Sequence, residues 1–499
     1  MNTPNLDLLF NPKSVAVIGA SASPGKIGTI TLLCTIAGGF KGKIYPINPN
    51  ESEILGLKAY SSVKDVPDRI DLAIICLPAD TVLLAIRECN EVGVKFGVII
   101  SAGFGELGEE GRKKQKEVIE EARKGEIRLV GPNCMGIGSA APKLYATMNF
   151  TIPKAGDVSM IAQSATIVTL TTLMASSQGI GFNKYVSSGN EADLHMEDFL
   201  EYYADDPETK VVAAYIEGVR EGRRFIDASR EVTKNKPFVV LKGGKTAAGA
   251  AAASSHTGAL SGADMIFDAM CVQTGIMRVS DHIEMIDLIK AFLLLPCPMG
   301  GKVGIVSAQG GMGVLMADAC VKYGLEVPKL TEGSINELNT FLPYFWSHRN
   351  PIDVTAGFMG DLSALTKSLE VLLRQEDIHS VVCLPQVWSP LFSTISAQIS
   401  DEMQDLFKSI SVEMMEWMEE TIINDFIKLK NKYGKPVIAI GTFTQSGSKS
   451  NRLLEENGIP VYETPDQVAR VLSKLVEYAE YLVVSHLRIV NRKIKKFVP

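Results

Sequence analysis

The sequence predicts an α/β protein of three doubly wound units, and three observations support this. Short apolar runs, typical of buried parallel strands, alternate with longer helical patterns along the chain. The alternation starts again near residue 156 and once more near residue 302. A length of 499 residues also suits about three domains. We therefore expect parallel sheets with helices on both faces.

The first unit is predicted over residues 1–139. Helical patterns, among them the strongly charged stretch 109–125, separate its apolar runs. Because strands and helices alternate strictly, this unit is predicted to be Rossmann-like. Its strand candidates are residues 14–20, 43–48, 71–77, 95–101 and 127–131.

The second and third units are predicted over residues 140–292 and 299–480, with a linker at 293–302 and a basic tail at 481–499. Both contain a strand, a small polar turn and a helix, in VSMIAQSATIVTL and VGIVSAQGGMGVL. This weak internal repeat predicts two flavodoxin-like units, without implying repeated function. The strand candidates are 156–164, 185–190, 211–218 and 237–243, then 302–311, 380–386, 435–443 and 459–464.

Composition excludes several functional classes. The net charge is −7, and no basic face suited to a nucleic acid is visible. No apolar run reaches the ~20 residues of a membrane span, and the start lacks a signal-peptide pattern. The eight cysteines contain no C-x-x-C pair and the six histidines have no metal-ligand spacing. We expect a cytoplasmic protein without a protein-bound metal.

The first unit contains a candidate phosphate-binding turn. In VAVIGASASPGKIG, residues 15–28, a strand leads through small residues into a helix start, where backbone N–H groups can hold a phosphate. Asn48 stands where an NAD site would carry Asp or Glu, so the ligand is expected to be another phosphate compound. A plain strand–helix turn is the alternative. Loops 77–80, 101–106 and 131–136 should converge on the same crevice.

The second unit has a similar strand-to-helix turn at Ser164, Ala165 and Thr166. Unpaired N–H groups there would hold an anion, although an ordinary helix N-cap is the alternative. The polar loop 187–193 is expected at the same edge of the sheet.

His256 is the most informative residue, because it lies in the glycine- and alanine-rich stretch 243–262. An accessible imidazole among small residues suits a nucleophile better than a packing role, although a surface histidine in a linker remains the alternative. Glu217 ends the apolar run 211–218, where a surface carboxylate at a strand end is the alternative to a functional role.

Over nearly its full length the chain resembles the α subunit of NDP-forming acyl-CoA synthetases, of the ADP-forming acetyl-CoA synthetase type, which are related to succinyl-CoA synthetase. The motifs that carry the resemblance are NPKSVAVIGAS, YPINPN, GPNCMGI, PKAGDVSMIAQS, GNEAD, YIEGVREGRRFI, LKGGKT, SHTGALSG and NPIDVT. The SHTGAL motif after a glycine/alanine loop is the most specific of these.

The resemblance implies a phosphohistidine enzyme that converts acyl-CoA, phosphate and ADP into a carboxylic acid, CoA and ATP, reversibly. His256 would take the phosphoryl group and Glu217 would hold its imidazole. Phosphate and the acyl group would meet at Ser164, Ala165, Thr166 and Asn133. CoA would be contacted around Gly19, Ser21, Pro24, Lys26, Asn48, Pro78, Ser101 and Gly103.

The resemblance also implies a partner, since no ATP-grasp segment is visible among the three units. We expect an ATP-grasp β subunit in an α2β2 heterotetramer, with ADP or ATP and Mg²⁺ bound on that subunit. The family commonly has Gly where this chain has Ala165, and an Asn-Ala-Gly-Gly run where it has SAQGGMG. These departures indicate altered substrate size or weakened activity. A CoA-binding sensor with little catalysis is therefore the alternative function, and acetyl-CoA is the default substrate.

Overall fold

The computed structural model describes residues 5–249, 264–354, 361, 363–384, 412–441 and 449–495. The chain forms two compact units, Met1–Ile289 and Lys290–Pro499. In the described residues, the first unit contains a parallel sheet and a mixed sheet, and the second unit contains a further parallel sheet, all with flanking helices. The predicted α/β fold class is confirmed. Division of the chain into three domains at residues 139, 292 and 299 stays a prediction.

The first sheet has the strand order β2-β1-β5-β6-β7, and all of its pairs are parallel. The order reverses between β1 and β5, which is where the loops at the carboxyl ends of the strands open a crevice. The elements are β1 (Ser14–Ile18), α2 (Ile27–Ala37), β2 (Lys43–Ile47), the hairpin β3 (Glu53–Ile54) and β4 (Leu57–Lys58), β5 (Leu72–Ile75), α3 (Ala79–Glu91), β6 (Phe96–Ile99), α4 (Glu109–Lys124) and β7 (Arg128–Val130).

The second sheet has the order β14-β13-β12-β10-β11-β8-β9. Five strands are parallel, and an antiparallel hairpin, β8 and β9, extends one edge. The elements are β8 (Gly136–Ser139), β9 (Leu144–Thr147), β10 (Ala155–Ala162), α5 (Ala165–Ser177), β11 (Phe182–Ser187), α6 (Met196–Asp205), β12 (Val211–Ile216), α7 (Gly222–Thr233), β13 (Phe238–Lys242), α8 (Asp264–Thr274), β14 (Ile276–Val279) and α9 (His282–Leu294).

One hydrophobic core is shared by the first two sheets. It contains Val15 and Val98 from the first sheet together with Val212 and Phe238 from the second, all buried. The short helix α1 (Asp7–Phe10) belongs to the same core. The ring of Phe10 stacks on Tyr202 of α6 with 5.2 Å between ring centroids. The N-terminal segment is therefore packed against the helix layer of the second sheet.

The unit Lys290–Pro499 contains a third sheet, which is parallel, in the order β16-β15-β17-β18-β19. Residues of β15, β17 and β18 alternate between two buried hydrophobic clusters, so that these strands have the continuous apolar pattern on which their prediction was based. The elements are β15 (Val303–Ser307), α10 (Gly310–Lys322), α11 (Glu332–Leu338), β16 (Ile352–Asp353), α12 (Ser363–Arg374), β17 (Ser380–Leu384), α13 (Val412–Tyr433), β18 (Val437–Ile440), α14 (Lys449–Glu456), β19 (Val461–Tyr462) and α15 (Pro465–Lys495).

The predicted strands occur, but their ends differ. The run 71–77 forms a strand only over Leu72–Ile75, and the run 185–190 forms one over Phe182–Ser187. The chain leaves the ladder where it bends toward the next helix, although apolar residues continue. The hairpin of β8 and β9 and the edge strand β14 were not predicted, because Gly and Ser in the first and Arg278 in the second interrupt the apolar pattern. In the part of the chain described, no helix is long and apolar enough to cross a membrane.

Candidate functional site

The turn after β1 is closed by the close approach of two glycines. Gly19 has φ +87°, and its N–H donates to the carbonyl of Ile47 at 3.0 Å. A Cβ on Gly28 would lie 1.9 Å from the carbonyl oxygen of Gly19, so that only glycine fits there. The hydroxyl of Thr29 donates to the carbonyls of Ser21 and Ser23 at 2.8 and 2.7 Å, which holds the turn against the helix.

The start of α2 faces solvent within this turn. Lys26 is the N-cap residue and makes no side-chain capping bond, and Pro24, Gly25 and Lys26 are exposed. The first turn of a helix carries backbone N–H groups without intrahelical acceptors and the positive end of the helix dipole. Gly19, Ser21, Pro24 and Lys26 thus lie together in a turn that can accept a phosphate.

The other four predicted contacts lie at the ends of the neighbouring strands. The side-chain amide of Asn48, after β2, donates to the carbonyl of Ala20 at 2.7 Å. Pro78 is the exposed N-cap of α3, and the hydroxyl of Ser101, after β6, donates to the carbonyl of Leu77. Gly103 has φ +109°, and a Cβ there would lie 2.9 Å from that of Ala79. All four therefore border the edge where the strand order reverses.

In the second sheet, Ser164, Ala165 and Thr166 begin α5 directly after β10. Ser164 occupies the N-cap position, but its side chain makes no capping hydrogen bond. The first turn has no acidic residue, and Thr166 is exposed. The ordinary N-cap considered for Ser164 is thus absent, and this helix start can accept an anion.

Glu217 lies one residue beyond β12 and is held on both sides. Its backbone N–H donates to Oε1 of Gln163 at 2.6 Å, and its carbonyl accepts from Nζ of Lys242 at 2.8 Å. The hydroxyl of Tyr215 hydrogen-bonds Glu217. Burial raises the pKa of Tyr215 to about 12, and the charge and hydrogen bond of Glu217 act in the same direction. Glu217 is half-buried, not the exposed strand-end carboxylate of the alternative interpretation.

The segment that holds His256 begins beside Glu217. Gly243, its first residue, donates its N–H to the carbonyl of Ile216 at 2.8 Å. A Cβ on Gly243 would lie 2.6 Å from the hydroxyl of Tyr215. His256 itself lies outside the described residues, so that the structure describes where the segment starts and where α8 follows it.

The loop after β11 brings Asn133 to the same edge. The N–H of Asn190 donates to the carbonyl of Pro132 at 2.9 Å, and the amide of Asn133 donates to Oδ1 of Asn190 at 3.3 Å. Gly189 lies so close that a Cβ would be 2.3 Å from the carbonyl of Pro132. Asn133, with φ +56°, is thus fixed between the two sheets of this unit.

A hydrogen-bond chain links this loop to the first sheet. Nδ2 of Asn190 donates to Oε2 of Glu106 at 2.6 Å, and Oε1 of Glu106 accepts from the N–H groups of Gly103 and Phe104. Burial acts to raise the pKa of Glu106, but these hydrogen bonds lower it. A negative Glu106 therefore joins the turn at Gly103 to the loop of the second sheet.

Sequence reasoning missed four polar residues that build this site: Gln163, Asn190, Glu191 and Lys242. The first three lie in the motifs IAQS and SSGNEAD, which were recognised as turns but not as side chains with partners. Lys242 ends an apolar strand, where a buried cation gives no signal in a hydropathy pattern.

The turn of the third sheet differs from its counterpart at Ser164. A Cβ on Gly310, the first residue of α10, would lie 2.5 Å from Oδ2 of Asp353. The carboxylate of Asp353 thus lies at the start of α10, in the position where a bound phosphate would have to lie. The sequence repeat is structural, and the two turns are not chemically equivalent.

Three family models cover most of the chain. The CoA binding domain matches residues 13–140, the succinyl-CoA ligase like flavodoxin domain matches residues 155–292, and the Ligase-CoA domain matches residues 303–412. The first match contains all five strands of the first sheet, the second contains the five parallel strands of the second sheet, and the third contains β15, β16 and β17 of the third sheet.

Relatives and solved structures match over nearly the full length. The alpha subunit of ADP-forming acetate–CoA ligase II of Pyrococcus furiosus is 40% identical over 95% of this chain and 98% of its own. The ADP-forming acetate–CoA ligase of Methanocaldococcus jannaschii is 38% identical over 95% of this chain and 63% of its own. The dinucleotide-forming acetyl-coenzyme A synthetase 1 of Ca. Korarchaeum cryptofilum, solved with phosphate and ADP, matches with TM-score 0.83 and 32% identity, over 96% of this chain and 99% of that one.

A CoA binding domain followed by a succinyl-CoA ligase like flavodoxin domain and a Ligase-CoA domain defines an acid–thiol ligase. The similarity over the whole chain is more specific. The chain belongs to the family of ADP-forming acetate–CoA ligase alpha subunits.

Proposed function

We propose that the chain catalyses the acyl half of an ADP-forming acyl-CoA synthetase through a phosphohistidine on His256. The observation that carries this proposal is the convergence of the α5 helix start and Glu217 at the origin of the segment that contains His256. The experiment that tests it is incubation with acetyl-CoA and labelled phosphate, followed by detection of acid-labile phosphohistidine. CoA binding without any phosphoenzyme would favour the alternative, a CoA-binding sensor.

The proposed chemistry has three steps. Phosphate attacks the thioester of acyl-CoA, which gives an acyl phosphate and CoA. A ring nitrogen of His256 then attacks the phosphorus, and the carboxylate leaves as the free acid. ADP accepts the phosphoryl group from His256 and becomes ATP. Phosphate would be held by the N–H groups at Ser164, Ala165 and Thr166, with Asn133 beside them.

Glu217 would act on His256 through hydrogen bonding. A carboxylate on one ring nitrogen fixes the tautomer and stabilises the positive charge that develops when the other nitrogen attacks. Two observations support this role: the backbone of Glu217 is hydrogen-bonded on both sides, and the hydroxyl of Tyr215 hydrogen-bonds its side chain.

CoA would bind at the first sheet through the eight residues named above. The fit rests on the closed glycine turn, where the backbones of Gly19 and Gly28 approach each other and the start of α2 is open to solvent. The open N–H groups suit the phosphates of CoA. The nucleotide and Mg²⁺ would be bound by an ATP-grasp β subunit in an α2β2 assembly. Six of the eight cysteines are buried, which suits the cytoplasm that we propose as the site of action.

A bulky residue at position 21 should weaken CoA binding. In Ser21→Leu the side chain would fill the turn beside the helix start and block the approach of a phosphate, so that we expect the Kd for CoA to rise at least tenfold, about 1.4 kcal/mol. Isothermal titration of the full chain measures this. Ser177→Leu, at an exposed position in the last turn of α5, is the matched control. An unchanged Kd in Ser21→Leu would place CoA elsewhere.

Ala165→Gly should accelerate the first half-reaction. Ala165 is the first residue of α5, where its methyl group narrows the space for phosphate and an acyl group. Glycine at a helix end costs at most about 1 kcal/mol of stability. We expect phosphoenzyme formation from acetyl-CoA to become several-fold faster, with a larger gain for bulkier acyl groups. Equal rates for the two proteins would show that Ala165 does not limit substrate size.

A further inference from the structure

The side-chain amide of Gln163 makes three hydrogen bonds to the turn that carries Glu217 and a fourth to Glu191. Its Oε1 accepts from the N–H groups of Glu217 and Gly218 at 2.6 and 3.0 Å. Its Nε2 donates to the carbonyl of Gly218 at 2.8 Å and to Oε2 of Glu191 at 3.1 Å. Two acceptor sites and two donors are all that a glutamine amide has.

Gln163 extends the pairing of β10 and β12 beyond the ends of both strands. Its own N–H donates to the carbonyl of Tyr215 at 3.2 Å. The next two N–H groups of the β12 side, those of Glu217 and Gly218, are then satisfied by the side chain. One amide therefore satisfies both N–H groups of the turn at Glu217, while Lys242 bonds the carbonyl of Glu217, and the amide can be changed without altering the backbone of the strands.

Glu191 supports the orientation of that amide. Its Oε2 accepts from Nε2 of Gln163 at 3.1 Å, which favours the same orientation that the N–H groups of Glu217 and Gly218 require. The opposite orientation would turn two N–H donors toward those of Glu217 and Gly218, and such unpaired buried groups are costly. The side chain of Glu191 is itself fixed, because its Oε1 accepts from the hydroxyl of Ser188 at 2.7 Å and the residue is 2% exposed.

Charged neighbours surround this pair. Burial raises the pKa of Glu191, while hydrogen bonds from Ser188 and Gln163 and the charge of Arg220 oppose that rise. Burial also raises the pKa of Glu197, to about 7, with the charge of Glu191 acting in the same direction. Nδ1 of His195 lies 3.2 Å from Oε1 of Glu221, and burial lowers the pKa of His195.

We propose that Gln163 and Glu191 are positioning residues for the phosphoryl transfer. Gln163 holds the backbone at Glu217, and Glu191 holds Gln163, so that the carboxylate of Glu217 keeps one orientation toward the imidazole that it serves. Neither residue is required to touch substrate. The inference rests on the proposed function, because it assigns a role to residues behind the proposed partner of His256.

Gln163→Met tests the first half of this inference. Methionine has nearly the same size and makes none of the four hydrogen bonds. We expect the single-turnover rate of phosphohistidine formation, from acetyl-CoA and labelled phosphate on the full chain, to fall about tenfold or more. The acetyl-CoA concentration that gives half the maximal rate should stay within twofold. Ser159→Ala is the control. Ser159 lies on the same strand as the residue before Gln163, β10, and the substitution removes its buried hydrogen bond with Thr209.

The outcomes of this experiment separate the two proposals. A wild-type chain that forms no phosphohistidine contradicts the proposed function itself. A wild-type chain that forms it, with Gln163→Met equally fast, contradicts only the positioning role. A fall in rate that Ser159→Ala reproduces at equal melting temperature would assign the effect to general loosening of the sheet and overturn the inference.

Gln163→Glu provides a pH readout that loss of stability would not produce. A carboxylate at position 163 still accepts from the two backbone N–H groups, but it faces Glu191, so that the pair needs a shared proton. We expect the rate of this variant, relative to wild type, to rise at least threefold from pH 8 to pH 6. The other groups of the cluster are the same in both proteins, so the ratio isolates the change at position 163. A ratio that is constant with pH would overturn the role of Glu191.

Discussion

His256→Ala should abolish phosphoenzyme formation and all ATP synthesis, while the affinity for CoA stays within twofold of wild type. Removal of the imidazole deletes the nucleophile and with it the covalent intermediate, whereas the CoA turn at Gly19 belongs to a different sheet. The rate should fall by at least about a thousandfold, as expected for loss of a nucleophile. Acid-labile label on the chain and coupled ATP detection measure the two effects.

A matched histidine is available as the control for this variant. His348 is exposed, stacks on Trp346 with 4.6 Å between ring centroids and has φ +52°, which asparagine tolerates. His348→Asn should therefore keep full activity. Substantial turnover by His256→Ala in the presence of the partner subunit would exclude the phosphohistidine mechanism.

The second large effect concerns the partner. With acetyl-CoA, phosphate and ADP, the chain alone should label to at most one phosphoryl group per His256 and then stop, because the site that receives the phosphoryl group is expected on an ATP-grasp subunit. Addition of that subunit should discharge the label to ATP and start steady turnover. The M. jannaschii relative is longer than this chain, which covers 63% of its length. Its remaining part leaves room for the nucleotide site that we expect on a separate subunit here. Quench-flow measurement of label and ATP follows both stages.

Two controls make this result specific. The partner subunit without the chain should make no ATP, and the partner with His256→Ala should make none either. Steady ATP production by the purified chain alone would show that the assignment of the nucleotide site to a second polypeptide is wrong.

The sequence predicted the buried elements best, because a strand covered on both faces is a continuous apolar run. The strand β13 was predicted as 237–243 and forms over Phe238–Lys242. The strand β8, Gly136–Ser139, gave no such signal although it is buried: two of its four residues are glycines, and it is stabilised by pairing with β9 and β11. Its hydrogen bonds depend on neighbours that are distant in sequence.

Site residues could be predicted from the sequence where they belong to short motifs that follow a predicted strand. The eight CoA candidates and Glu217 lie at strand ends, as the order of apolar runs predicts. Gln163 and Glu191 could not be assigned, since an amide that bonds a turn 54 residues later is visible only after β10 and β12 pair. The role of His256 still rests on sequence, because that residue lies outside the described part of the chain.

Because the first two sheets share one hydrophobic core, a ligand bound at the first sheet should make the second sheet open less often. Separation of the sheets would expose Val15 and Phe238 alike, so their amide hydrogens should exchange with solvent in one cooperative opening. A ligand held by the first sheet at a hundred times its Kd adds about 2.7 kcal/mol to the cost of that opening. CoA would thereby slow exchange at β13, the strand from which the segment with His256 departs. Occupancy of the first sheet would thus set how often the strand that leads to His256 opens, without any contact between CoA and that strand.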